Sequence, residues 1–435
     1  MQAREDATER AASASRAPAT AAQRGPVTPE ARRDPAFYRG RARETSPEEV
    51  LAWIPRILFL PMAIVTELVL RRPLVALFAW MERHEVLDAI DYLLNPHPDV
   101  SWSPTLSFEV DVLALPGLHV EWRNALVRGH DIEVDFAMGG TDFWRARVRD
   151  RWRIGELVVV GVGGGYSTRP ERPFYGLGPR SEEPRTYYAE TVLDLTGFVA
   201  LAVDPHVQAE LRGGYSLERS APGIEPSLDA RFDVNEVPGL GLYELGIGSV
   251  ELTLDSRADH DEAGGVRFVG KTLVGVDARD PLRSFLSVEL ELSAGVEVSH
   301  PDRVLGARLY AMNTATFGEA PVPFTRLAWL GWDRHRGFVR GRFRGEAALM
   351  AEVRYRYPIN YYVDALWFAS AGNVFARDGS DFDFGALTGS LGVGFRTRRT
   401  GFAPIEMTVA LGTSRFEERF EIEGVRFFFE TVVGP

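Results

Sequence analysis

Five arginines stand at alternate positions in one short stretch: Arg145, Arg147, Arg149, Arg151 and Arg153. On an extended chain they share one face, with Trp144, Ala146, Val148 and Trp152 on the other. Such a ladder could steer anions, hold phosphates, or pair with carboxylates on a neighbouring strand. Asp131, Glu133 and Asp135 alternate just upstream and could supply that pairing, calcium binding being the other use of an acidic row. A second cationic stretch is Arg336-Gly337-Phe338, inside a loop from Gly318 to Gly345 crowded with Arg, Gly and aromatics. Arg336 carries five donors in a rigid fork and can latch a loop to a carboxylate bidentately. Gly337 lets the backbone approach a wall closely, and Phe338 anchors by burial. The plainer use of the same loop is to meet lipopolysaccharide phosphates or solvent.

Several chemistries fail on their residues. Gly161-Val162-Gly163-Gly164-Gly165 follows an apolar strand like a phosphate loop, but no helix follows and no lysine stands where one is needed. It fits a glycine-rich strand where the wall bends or another backbone comes close. The 8 histidines show neither metal spacing nor a partnered serine nucleophile, and there is no cysteine. No catalytic, metal or cofactor-binding residue is expected, and no enzyme activity. A formal net charge of −12 argues against nucleic acid, which needs a basic footprint.

The elements that must carry these residues are strands. From Trp102 onward, sixteen segments alternate apolar and polar residues: 103–113, 118–126, 130–139, 142–153, 156–167, 186–201, 206–219, 243–255, 265–277, 284–298, 303–317, 346–358, 361–376, 384–399, 405–415 and 424–433. Many run to about ten residues, enough to cross a bilayer with tilt. Aromatics gather near their ends (Trp102, Trp122, Trp144, Trp152, Tyr187, Tyr188, Tyr361, Tyr362, Trp367). The pattern predicts an all-β fold over 101–435, a sixteen-stranded antiparallel transmembrane barrel. Its apolar face meets lipid and its charged face a wet lumen. A passive, porin-like diffusion channel fits the same pattern, with selectivity set by the arginine ladder. A soluble all-β binding protein alternates in the same way and is the third reading.

Before the barrel, residues 1–45 hold too little apolar surface to fold and are expected to be disordered. Residues 46–100 are expected to form short helices near the periplasmic end, at the interface or as a plug. Thr45-Ser46-Pro47-Glu48-Glu49 has a helix-start signature, and Pro55, Pro61 and Pro73 cut the segment. Periodicity predicts a last helix from Pro73 to Leu94. The apolar stretch from Ile57 to Leu70 is too short and too interrupted to span a membrane. The polar start of the chain shows no signal peptide.

The stretch around Arg336 resembles the bacterial surface antigen superfamily, which includes the outer-membrane protein assembly barrels. A long sixth loop there carries an aliphatic-Arg-Gly-aromatic motif, matched here by Arg336, Gly337 and Phe338 and followed by Gly341-Arg342-Phe343-Arg344-Gly345. The acidic-x-Arg strand is similar to Glu352-Val353-Arg354, and Gly372-Asn373-Val374-Phe375 closes the next strand. Phe174-Tyr175-Gly176-Leu177-Gly178-Pro179 is similar to the superfamily's aromatic-Gly-Leu-Gly loop. Two positions depart: His335 stands where an aliphatic is usual, and Ser370 where an aspartate helps bind the loop arginine, so the resemblance leaves Glu352 as the candidate partner for Arg336. The resemblance covers about 102–435 and implies an outer-membrane location among lipids and lipopolysaccharide. It implies periplasmic or outer-membrane protein partners and a role in inserting or translocating protein or lipid. Residues 46–100 show no polypeptide-transport-associated domain, so client handling does not carry over directly.

Overall fold

The computed structural model describes residues 72–109, 112–181, 185–233, 237–257, 264–298, 303–318, 320–359, 363–397 and 405–431. Residues 1–71, with the segment expected to be disordered, the capping signature and the Ile57 to Leu70 stretch, lie outside them, as do Tyr361 and Tyr362. Among the described residues two helices, α1 (Arg72–Arg83) and α2 (Val86–Leu94), precede the strands. The periodicity predicts one helix there. The break falls at Glu85, whose φ of 56° is the left-handed turn that ends a helix. Among the described residues no helix is long and apolar enough to cross a membrane.

Sixteen strands close into an antiparallel barrel. They are β1 (Val100–Glu109), β2 (Val112–Trp122), β3 (His130–Met138), β4 (Trp144–Ile154), β5 (Val158–Phe174), β6 (Thr186–Asp204), β7 (Val207–Pro222), β8 (Gly241–Asp255), β9 (Gly265–Asp277), β10 (Phe285–Glu297) and β11 (Val304–Thr316), then β14 (Ala347–Pro358), β15 (Val363–Phe375), β16 (Thr388–Thr397), β17 (Ile405–Arg415) and β18 (Ile422–Thr431). Between β11 and β14 a small separate hairpin, β12 (Ala328–Leu330) and β13 (Phe343–Gly345), stands off the wall. The all-β class, the sixteen strands and their antiparallel order agree with the sequence pattern. Strand β5 departs from it. Prolines 170 and 173 argue against a strand beyond residue 167, yet β5 runs 17 residues to Phe174. A register shift between Arg169 and Arg172 takes Pro170 out of the ladder, while Pro173 stays registered opposite Tyr187 near the end of the strand.

Side chains alternate as the pattern demands. Val148, Val162, Leu195, Leu211, Val250 and Val353 stand exposed on the outer face. A band of that composition suits hydrocarbon, because water would leave it unburied on every strand. Asp150 breaks the band and is offset by His130, whose Nε2 lies 3.0 Å from its carboxylate. The glycine run makes room on the inner side. A Cβ on Gly161 would meet the Phe198 ring at 2.5 Å, and one on Gly165 would meet Arg147 Cγ at 3.2 Å. The glycines let large side chains lie flat against the wall.

The joint that closes the barrel is the one between β1 and β18. Between β10 and β11 the register runs unbroken from Phe285–Thr316 to Glu297–Val304. Between β1 and β18, among the described residues, it covers three pairs: Ser107–Glu430, Phe108–Phe429 and Glu109–Phe428. Continued in that register, 422–425 of β18 run past the end of β1, since their counterparts, 112–115, belong to β2.

Candidate functional site

The loop 318–345 folds back into the barrel and packs against its inner wall. Its first part contributes Val322, Phe324 and Leu327 to a buried cluster with Phe174, Tyr188, Leu245 and Phe285 of the wall. The β12–β13 hairpin contributes Ala328, Leu330 and Phe343 to a second, with Phe338 and with Tyr310, Ala348, Met350 and Val374 of β11, β14 and β15. The inner face of those strands is therefore apolar where the loop sits. This corrects the expectation of an inner face that is charged throughout. The loop covers that surface, so neither side meets water.

At the tip, Phe338 is buried, stacked on His335 with ring centroids 4.7 Å apart and edge-on to Phe343 at 4.9 Å. Gly337 lies on the backbone of β17. A Cβ there would fall 2.5 Å from the Leu411 carbonyl oxygen and 2.7 Å from Gly412 Cα. Only glycine against glycine allows this approach, and the Gly337 N–H donates to Ser390 Oγ at 2.7 Å. The indole of Trp332 packs edge-on against Phe428, with centroids 5.0 Å apart.

The carboxylate that receives Arg336 is Glu406 on β17, through Nη1, and the guanidinium lies over Phe368. This corrects the expected Arg336–Glu352 pair. Glu352 accepts from Arg354 Nη2 at 2.6 Å and Nε at 2.9 Å. Arg354 lies two residues along the same face of β14, and an arginine so placed takes the nearest carboxylate. The charge of Glu352 still reaches Arg336. The two departures from the resembled motif meet each other: His335 Nδ1 lies 2.9 Å from Ser370 Oγ and Nε2 lies 3.1 Å from Thr388 Oγ1. His335 is fully buried and sits on the loop, outside the spanning strands. Burial holds its pKa down at about 4, although the charge of Glu352 pulls the other way.

Three other loop arginines find berths of their own. Arg334 bonds Glu289 at 2.6 Å and lies over Trp329 and Tyr310. Arg342 stacks on Tyr175 and Arg344 donates to Tyr188 Oη at 3.0 Å. The aromatic-Gly-Leu-Gly turn thus packs on the loop, and the Gly178 N–H donates to the Arg344 carbonyl at 2.8 Å.

Beside the docked loop lies an inner cavity of about 1130 Å³, lined by Arg145, Arg147 and Arg149 of the ladder but not by Arg151 or Arg153. Arg151 pairs with Glu133, and Arg149 lies 3.9 Å from the same carboxylate. Asp135 faces Arg147 in register and pairs with His119 at 2.8 Å, and Asp131 accepts the Asn124 N–H at 3.1 Å. The acidic row is used up in pairing. Among the described residues no three His, Asp or Glu side chains gather as metal ligands. Thirteen cationic side chains line the cavity against seven carboxylates, the reverse of the whole chain's balance. Composition cannot reveal that excess, because it comes from which wall faces inward.

A closed sixteen-stranded barrel with a loop docked in its lumen is the class that fold and site define. No protein-family model matches the sequence, and no curated protein matches it either. Solved structures do. BamA from Haemophilus ducreyi, in a form lacking POTRA domains 1–3, matches with a TM-score of 0.57 and 14% identity over 77% of this chain and 70% of that one. CdiB from Escherichia coli matches with a TM-score of 0.52 and 13% identity, and CdiB from Acinetobacter baumannii with 0.52 and 10%. This chain spans 63% and 60% of those two proteins. At such identities the likeness is one of fold.

Proposed function

We propose that this chain is an outer-membrane barrel that aids the insertion or translocation of protein or lipid through its closing seam. The observation that carries the reading is the stagger between β1 and β18. Backbone groups without partners are costly in hydrocarbon, so the end of β18 that overhangs β1 is where the wall parts in this reading. An edge left open there can receive an incoming strand. The docked loop agrees with this reading, since it keeps the lumen partly filled while the wall works. The likeness to BamA and CdiB supports the barrel that such a role requires.

The chain has no cysteine, so a Phe108→Cys/Phe429→Cys pair can lock the seam across one registered pair. Oxidised protein in liposomes should lose the ability to speed insertion of a urea-unfolded barrel protein, and reduction should restore it. Full activity with the seam locked would sink the proposal. The cationic cavity favours a second reading, a diffusion path for anions. That reading predicts a steady, anion-selective conductance in planar bilayers, unchanged by the same crosslink.

A further inference from the structure

Among the described residues no carboxylate pairs with Arg340. Its guanidinium lies over the Trp329 ring at 4.8 Å, and the residue lines the cavity and is exposed to it. Across from it, one carboxylate serves a crowd. Glu190 on β6 is bonded by Arg172 at 2.7 Å and also feels the charges of Arg344, Arg326 and Arg340. Arg326 has Glu218 as a partner of its own. Arg344, 93% buried, spends its terminal nitrogens on the Phe324 carbonyl and the Tyr188 hydroxyl, both neutral, and its Nε has no hydrogen-bond partner. These four guanidiniums share Glu190 and Glu218, with the charges of Asp194 and Asp333 also reaching them, inside a cavity whose lining carries thirteen cationic side chains against seven carboxylates.

We propose that Arg172, Arg326, Arg340 and Arg344 form a binding site inside the lumen for a phosphate group carrying two negative charges. The match is one of charge and of shape. A phosphate monoester neutralises the excess, and its three terminal oxygens accept from forks that reach in from the wall and from the loop. The cavity is also large enough for the group that bears the phosphate. The site stands apart from the insertion and diffusion readings, since either can contain it.

The test is titration calorimetry on the full chain in detergent, with inorganic pyrophosphate as the probe. Saturable binding is expected. Arg340→Gln should weaken it by about tenfold or more, and Arg340→Lys by less. Arg153→Gln, the same charge change away from the cavity, should leave it within about twofold. Heat-modifiable gel migration checks that each variant is folded. Adding dioctanoyl phosphatidic acid separates the sources: displacement of pyrophosphate identifies a lipid headgroup as the natural ligand, and retention identifies a soluble phosphate. Absence of saturable binding would overturn the proposal. So would Arg340→Gln matching the wild type, or Arg153→Gln losing as much as Arg340→Gln.

Discussion

Acidification should release the loop, and His335 sets where. In the docked loop the imidazole is enclosed and bonded to two hydroxyls, with its pKa lowered from 6.5 to about 4. Once undocked, the side chain is solvated and returns to its ordinary value. Between those values the undocked form binds a proton that the docked form excludes, so docking is weakened as pH falls. The full contribution of neutral His335 is present above pH 6.5. At pH 5 the loss amounts to about 2 kcal/mol, or roughly thirtyfold in the docking equilibrium. The assay is amide hydrogen exchange over 332–340, corrected for the intrinsic pH dependence of exchange. Protection should fall roughly thirtyfold between pH 7.5 and pH 5. In His335→Leu, which cannot titrate, that fall should disappear. Equal protection at the two pH values, or an unchanged slope in His335→Leu, would refute the argument.

Two further outcomes follow from the docking contacts. Gly337→Ala places a methyl 2.5 Å from the Leu411 carbonyl, and both atoms belong to backbone or are fixed to it. Docking should weaken by about 1–3 kcal/mol, read as faster trypsin cleavage within 318–345 while the barrel keeps its heat-modifiable migration. Arg336→Ala should loosen the loop and Glu406→Gln should do the same, and the double variant should be no looser than either single one. Glu352→Gln should leave trypsin cleavage at Arg336 slower than Glu406→Gln does; the reverse order would return the latch to Glu352.

The architecture was legible because lipid and closure impose a simple rule on sequence. Alternation with a period of two, sustained from β1 to β18, fixes strand, facing and count together. The site was legible only in part. Arg336, Gly337 and Phe338 announced a docked loop through residue type, but the identity of Arg336's partner depended on which distant strand the loop tip would reach. Glu352 and Glu406 are equally charged in the sequence, and only the fold sets Arg354 against one of them. His335 and Ser370 look like two separate losses when each is compared with an expected residue. In three dimensions they are one exchange, a hydrogen bond between neutral groups in place of an aliphatic and a carboxylate. The cationic cavity was hidden behind the chain's acidic total, since its arginines come from strands and a loop far apart in sequence.

The contact between Trp332 and Phe428 gives the loop a say in the seam. Phe428 is a registered partner of Glu109 in the closing joint, and the loop indole rests on it from inside. Contacts of this kind make two equilibria share free energy. Whatever stabilises the docked loop also holds the joint, and whatever parts the joint makes the loop easier to dislodge, by the same amount. A strand arriving at β18 and a pH drop acting on His335 would then be additive loads on one linked system. The barrel's opening would be tuned from the lumen as well as from the membrane.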